Sequence, residues 1–176
     1  LPSLPVGPYS VTVEQAGFKK LVRGNIEVRI GLRQALDLQM EIGTVEQQVE
    51  VTGAVSALET VTSERGQNLS PQFLRTLPIY AGGMRSAEAF LGYMPGVNSF
   101  GEMSINGSGG RAREVMIDGA SLTIPESGGT VFNFPGFEAF NEMKLVTSTY
   151  NAEYGRLGGG VELMVTKSGT NDIHGA

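Results

Sequence analysis

Every second side chain from Leu36 to Ile42 is apolar, with Asp37, Gln39 and Glu41 between Leu36, Leu38, Met40 and Ile42. Successive side chains of a strand point to opposite faces, so a strand is the conformation that collects these four on one side. Tyr9, Val11 and Val13 alternate in the same way with Ser10, Thr12 and Glu14. Val45, Val49 and Val51 do so again, with polar Gln47 interrupting. Shorter apolar pieces, Leu21-Val22 and residues 26–30, lie between turn signals at Ala16-Gly17, Gly24-Asn25 and Gly31. Four or five short strands at this spacing predict an antiparallel sandwich. The set is small for a closed sandwich, so further strands are expected upstream of Leu1.

From residue 53 to residue 69 the alternation dissolves into Ala, Ser, Thr, Glu and Gln, which reads as a linker. A helix start follows: Ser70 is placed to cap, Pro71 suits the first helical position, and Phe73, Leu74 and Leu77 form a stripe before Pro78. A second helix is predicted from a Ser86 cap through Ala87, Phe90, Leu91 and Met94 to the stop at Pro95-Gly96. Short strands are expected at 103–105, 115–117 and 122–124, then a loop at 127–136 and one helical turn at 137–141. Two further strands, 143–148 and 161–166, close the chain. Strands mixed with short helices give an α+β second half. The predicted domains are a partial sandwich at 1–52, a linker at 53–69 and an α+β unit at 70–176.

Composition removes several function classes. At roughly 100 to 200 residues per domain, 176 residues make one large domain or two small ones. Thirteen Lys and Arg against eighteen Asp and Glu leave a net charge of −5. No basic cluster stands out, so a nucleic-acid partner is not expected. The chain has no Cys, which excludes disulfides, thiolate metal sites and Cys nucleophiles. The single His, His174, lies near the C-terminus, a poor place for a catalytic base. No run of about 18 apolar residues is present to form a membrane-spanning helix. The start, LPSLPVGPYS, lacks the basic and apolar regions of a signal peptide, and a chain beginning in a Pro/Gly turn reads as a piece of a longer protein.

The motifs are mostly turn chemistry. Gly107 to Ala112 fits the spacing G-x-G-x-x-A, but a dinucleotide site requires a helix to follow, and Glu114-Val115-Met116-Ile117 reads as a strand. A glycine-rich connection is the better reading. Lys167 to Thr170 lacks the order of a phosphate loop. Asp118, Glu126, Glu138, Glu142 and Glu153 lack calcium-loop spacing. Asn68-Leu69-Ser70 and Asn106-Gly107-Ser108 match the glycosylation triplet but read as cap and turn. Gly158, Gly159 and Gly160 permit a close backbone approach just before a strand. Met84, Met94, Met103, Met116, Met143 and Met164 are expected as core filler. No catalytic, metal or cofactor constellation emerges, and a non-enzyme is expected.

Taken in order, several segments resemble the plug domain of TonB-dependent outer-membrane receptors. YNAEYGRLGGGVELMVTKSGTNDIHGA (150–176) resembles the end of that domain, and is most similar to the Oar-like group that carries an N-terminal carboxypeptidase-regulatory-like domain. LPIYAGGMRSAEAFLGYMPGV (77–97), INGSGGRAREVMIDGASLTIP (105–125) and FEAFNEMKLVTSTYNAEYG (137–155) resemble its earlier segments, in the family's order across 70–176. Residues 4–43, with a Pro-x-Gly-x-Tyr strand entry and a Gly-Phe turn, resemble the second half of a transthyretin-like sandwich.

The resemblance implies a plug seated in the 22-stranded barrel of an outer-membrane transporter, with the N-terminal unit in the periplasm. It implies three partners: the receptor's own barrel, the C-terminal domain of TonB, and a substrate that is an oligosaccharide, a peptide or a chelate. TonB pairs as an added strand with a short box near the start of the plug. Two segments fit. Gln48, Val49, Glu50, Val51 and Thr52 resemble the Val-Val-Thr-Gly stretch before plugs, and equally predict the last strand of the sandwich. Glu59, Thr60 and Val61 resemble the Glu-Thr-Val start of other boxes, against the reading as plain linker. Arg111, Arg113, Glu153 and Arg156 are candidates for polar contacts with the barrel wall, and residues 79–85, 99–102 and 127–136 for substrate-facing loops. No series of about ten-residue alternating strands follows Thr166, so the chain itself is expected to form no barrel and to be soluble. The rival reading is an extracellular adhesive or glycan-binding module on a β-sandwich stalk.

Overall fold

The computed structural model describes residues 4–43, 48–51, 64–76, 87–99, 102–124, 126–130, 135–154, 156, 158–169 and 171. The chain divides into two units, Leu1–Thr62 and Ser63–Ala176.

Unit 1 holds β1 (Gly7–Val13), β2 (Lys20–Val28) and β3 (Gln48–Val51), in the order β1-β2-β3. β1 and β2 are antiparallel, with Tyr9 opposite Ile26 and Val13 opposite Leu21, and a bulge between Tyr9 and Val11. Leu21-Val22 and residues 26–28 of the second apolar piece, expected as separate, fall within this one strand, β2. Leu21 and Ile26 form its buried core. β3 runs parallel to β2, from Lys20 opposite Gln48 to Arg23 opposite Val51. That departs from the antiparallel set expected. Among the described residues unit 1 has one sheet and no second sheet facing it.

The strand expected at 34–42 does not form. The alternation survives only as burial: Leu36, Leu38 and Met40 are half-buried, while Asp37, Gln39 and Glu41 are exposed. Ile42, expected on the same buried face, is 84% exposed and makes a single bridge to Phe18. β2 is already paired on both sides by β1 and β3, and the segment meets its neighbours only at its end, where Lys19 donates to Glu41 O at 2.8 Å and Gly43 to Gly17 O at 3.1 Å. A ladder needs a free partner strand, whereas partial burial needs only a surface.

Unit 2 is built on a five-stranded sheet. Its strands are β4 (Arg65–Leu69), β7 (Arg113–Ile117), β8 (Ala120–Ser121), β9 (Phe140–Ser148) and β10 (Gly160–Thr166), in the order β4-β9-β10-β7-β8. β10 is antiparallel to β9 and parallel to β7. A two-stranded ribbon, β5 (Val97–Asn98) with β6 (Ser104–Ile105), lies apart from the sheet in pairing. The helices are short: α1 (Pro71–Thr76), α2 (Ala87–Leu91), and 3-10 turns at Phe137–Ala139 and Ala152–Tyr154. The whole is strand-dominated, more so than an even α+β mixture.

Local chemistry explains the boundaries. The Ser70 hydroxyl accepts the Phe73 amide at 3.2 Å, the cap its position predicted. Phe73 itself is 44% exposed, so the predicted apolar stripe does not bury it. α2 ends in a turn that leaves Gly96 at φ +83, a conformation that favours glycine. β7 and β8 are joined by Asp118 and Gly119, both at positive φ, the backbone of a two-residue hairpin. That turn sets the return strand at Ala120–Ser121, short of the expected 122–124, where Thr123 makes one bridge to Thr130. The stretch expected as linker ends in β4, which pairs with β9 from Arg65 opposite Ser148 to Leu69 opposite Met143.

Register assigns the two faces of this sheet, because residues paired across strands share a face. Leu69, Met143, Met164 and Ile117 align on one side, with Leu145 and Val115 next to them. Phe90 and Leu91 from α2, Met94 in the turn after it, Ile105, Phe137 and Phe140 complete the core over that face. The Phe90 and Phe137 rings meet edge to face at 5.6 Å and 62°, a contact adding about 1 kcal/mol beyond burial. Four of the methionines expected as core filler are in place: Met94, Met143 and Met164 are buried, and Met103 packs against them.

Candidate functional site

Among the sequence candidates, Gln48, Val49, Glu50 and Val51 form β3, an outer strand of the unit 1 sheet. An outer strand keeps one row of backbone groups for a further partner. Thr52, Glu59, Thr60 and Val61 lie outside the described residues, as do 79–85 and 131–134.

Of Arg111, Arg113, Glu153 and Arg156, Arg113 alone is withdrawn from solvent. Arg111, Glu153 and Arg156 are exposed. Arg113 opens β7 on the core side of the sheet, with its side chain only 11% exposed. Its Nη1 lies 2.9 Å from Met103 Sδ and 3.9 Å from Glu162 Oε2. Glu162 is fully buried, placed by register between Leu145 and Val115. The guanidinium thus supplies positive charge to a carboxylate that burial would otherwise disfavour.

Of the loop candidates, Ser99 and Glu102 are exposed. Ile124 and residues 126–129 are drawn together, with Ile124 donating to Gly129 O at 2.7 Å and Gly128 to Ile124 O at 2.9 Å. A polar depression of about 510 Å³ lies elsewhere, where the β6 turn, the end of β9 and the entry to β10 meet. Asn106, Ser108, Thr149, Tyr150 and Gly159 line it. Asn106 and Thr149 both have φ near +52, uncommon for residues with a side chain. Asn106 is fixed there by two bonds: its amide donates to Gly96 O at 2.7 Å, and its Nδ2 to Thr147 O at 2.8 Å.

The glycine triplet behaves as its sequence predicts, and unequally. Gly159 donates to Ala112 O at 2.6 Å, and a Cβ on it would lie 2.5 Å from that oxygen and collide with the Ser108 hydroxyl. A Cβ on Gly160 would meet Ile105 Cδ1 at 2.9 Å, whereas at Gly158 nothing lies within 4 Å. A strand, β7, follows the Gly107 to Ala112 motif, so the helix N-terminus that a pyrophosphate would need is not there.

Several buried charges escaped the sequence reading. Besides Glu162, and Glu114 on β7, which accepts from the Ser121 hydroxyl, Lys144 on β9 and Glu64 are paired at 3.4 Å, with side chains 1% and 3% exposed. A signal existed for two of them, since Lys144 and Glu162 each interrupt an apolar run, Met143-Lys-Leu-Val and Val161-Glu-Leu-Met-Val. Glu64 carried none, standing in the polar stretch taken for a linker. In unit 1, a hydrogen bond from Lys19 and its charge hold the Glu41 carboxyl below the ordinary glutamate pKa. No group of His, Cys, Asp and Glu that could hold a metal ion occurs among the described residues.

Comparison with known proteins places these features in a family context. The TonB-dependent transporter Oar of Myxococcus xanthus aligns with 100% of this chain at 28% identity over 183 residues. Over its whole length the chain is similar to this TonB-dependent transporter. It spans 17% of the length of that relative. No family model matches the sequence. Among solved structures, the siderophore receptor PirA of Pseudomonas aeruginosa superposes with a TM-score of 0.49 at 24% identity, covering 60% of this chain and 18% of that one. No helix among the described residues is long and apolar enough to cross a membrane, which says nothing of a β-barrel.

Proposed function

We propose that unit 2 is the plug of a TonB-dependent outer-membrane transporter and that unit 1 belongs to a carboxypeptidase-regulatory-like, transthyretin-type domain on its periplasmic side. The observation that carries this reading is the end-to-end alignment with a TonB-dependent transporter. In this reading the plug stoppers the barrel lumen, because a barrel of that width is otherwise open. Engagement by TonB couples the energised inner membrane to a change in the plug. The function is transport rather than catalysis, and the substrate is an oligosaccharide, a peptide or a chelate met by loops of the plug.

The position of β3 supports residues 48–52 as the TonB box. β3 is an outer strand whose second edge is open to a further strand among the described pairings. Strand addition there would use backbone hydrogen bonds for affinity and side chains for selectivity. The alternative box at 59–61 would bind without involving the unit 1 sheet.

The test is titration of the chain with the periplasmic C-terminal domain of TonB. It is run beside a Val49→Pro, Val51→Pro variant and a Thr60→Pro, Val61→Pro variant, since proline removes the donors strand pairing needs. Binding lost only in the first places the box at 48–52, and binding lost only in the second moves it to 59–61. Circular dichroism of the first variant reports whether β3 or the whole of unit 1 was lost. Absence of binding by the unmodified chain rejects the coupling role.

A further inference from the structure

β4 contributes little of what normally holds a strand in a sheet. It has five residues, RGQNL, with a register shift between Arg65 and Gly66 where it meets β9. Arg65, Gly66 and Gln67 are exposed, and Leu69 alone is buried. Hydrophobic burial scales with the apolar area removed from water, and one leucine supplies only about 2 kcal/mol of it. The residue just before the strand compensates. Glu64 Oε2 accepts from Lys144 Nζ at 3.4 Å, and Glu64 Oε1 accepts from the Asn151 amide at 3.3 Å. A single carboxylate thereby joins β4 to β9 and to the loop that follows β9.

Gly66 makes this contact possible. A Cβ there would lie 3.3 Å from Lys144 Cε and 2.8 Å from Leu145 O, so the lysine stem runs through the space a side chain would fill. Lys144 lies on the face of β9 opposite the core, with Asn68 and Leu163 as its cross-strand neighbours. An ammonium group at that depth is tolerated when it faces a carboxylate, and removing one member of such a pair is costly.

We propose that the Glu64–Lys144 pair is a latch that fastens β4 to the sheet, making β4 a separately detachable edge strand. The latch has two stable positions. In one, β4 is docked and the two charges satisfy each other out of water. In the other, β4 is released and both charges are hydrated, which returns part of the desolvation cost and lowers the opening energy of β4 below that of β7, β9 and β10. Those strands carry Val115, Met143, Leu145, Val146, Val161 and Met164, each nearly or fully buried, an apolar area several times that of Leu69, so opening them costs more even though Glu162 and Arg113 would be hydrated as well. The inference stands on the geometry of unit 2 and is independent of the receptor reading.

Native-state hydrogen exchange on the full chain tests it. In the unmodified protein the amides of residues 66–69 are expected to exchange through an opening that low urea does not promote, while those of β10 exchange only by global unfolding. Glu64→Gln is expected to raise exchange in β4 about 10- to 100-fold with β10 unchanged, less than the complete loss of a buried partner because the glutamine carbonyl still accepts from Lys144. The double substitution Glu64→Leu, Lys144→Met, which removes both charges, should return β4 exchange to the original rate or below it. If all strands open together in the unmodified protein, the latch is refuted whatever the variants do. The same follows if Glu64→Gln speeds β10 as much as β4, or if the double variant exchanges as fast as Glu64→Gln.

Discussion

The Asp118 carboxylate grips both donors of Thr166: Oδ1 accepts the backbone amide at 2.9 Å and Oδ2 the hydroxyl at 2.7 Å. Asp118 itself sits at φ +49 in the hairpin turn after β7, and its amide donates to Met164 O at 3.0 Å. One turn residue thus ties the end of β10 to the end of β7, the parallel pair on which the sheet depends. Asp118→Ala removes both acceptors and places alanine in a left-handed conformation. The site is exposed to water, so the expected loss is modest, about 1 kcal/mol. Asp118→Asn, which tolerates that backbone and keeps one acceptor oxygen, should lose roughly half as much by the same reasoning. Urea denaturation monitored in the far ultraviolet measures both.

The glycine triplet should divide sharply on substitution. Gly159→Ala brings a methyl against Ala112 O and the Ser108 hydroxyl, and Gly160→Ala brings one against Ile105. Each is expected to cost about 1 to 3 kcal/mol through overpacking. Gly158→Ala enters open space and should change stability by less than about 0.5 kcal/mol. Equal losses at all three positions, measured by denaturant midpoint, would contradict the close approach described for β10.

The neighbouring arginines should behave differently as well. Arg113→Ala withdraws a guanidinium from beside the fully buried Glu162 and is expected to cost about 3 kcal/mol. Arg111→Ala, at an exposed position, should fall within about 0.5 kcal/mol of the unmodified chain. Thermal melts of the two variants decide whether Arg113 serves the interior, as its 11% exposure requires.

The pH response of unit 1 has a definite sign. Lys19 lowers the Glu41 pKa in the folded state below its unfolded value near 4.5. The contact therefore adds stability above the unfolded pKa, and that contribution is lost as pH falls through the folded one. Glu41 is exposed and the salt bridge is screened by solvent, so the effect is small. An NMR titration of the Glu41 side chain should show a midpoint below 4.5 that moves upward in a Lys19→Met variant. An unmoved midpoint would assign the shift to something other than Lys19.

Much of unit 2 was legible because its signals are local. The Ser70 cap, the Pro95-Gly96 stop, the Asp118-Gly119 turn and the apolar runs of β9 and β10 each act within a few residues, where sequence and conformation are directly linked. The same locality explains the failures. Residues 34–42 have a strand's alternation, yet among them only Ile42 makes a bridge, to Phe18, a partner far off along the chain. Residues 65–69 have no strand pattern, yet β9 and the Glu64 latch hold them in a ladder. Arg113 looked like a surface charge until the register placed Glu162 beside it.

The sequence by itself determined where the chain turns, which runs are apolar, that disulfide and thiolate chemistry are excluded, and which family its ordered segments resemble. Those properties reside in single residues and short patterns. Only the tertiary structure decided which strands pair, that β3 runs parallel at an outer edge, and that Glu64, Lys144, Arg113 and Glu162 are buried together in pairs. Burial and pairing depend on what stands across the sheet, and a residue's nearest neighbours in a sheet are tens of positions away along the chain. A charge reads as surface until the partner that neutralises it is brought within reach.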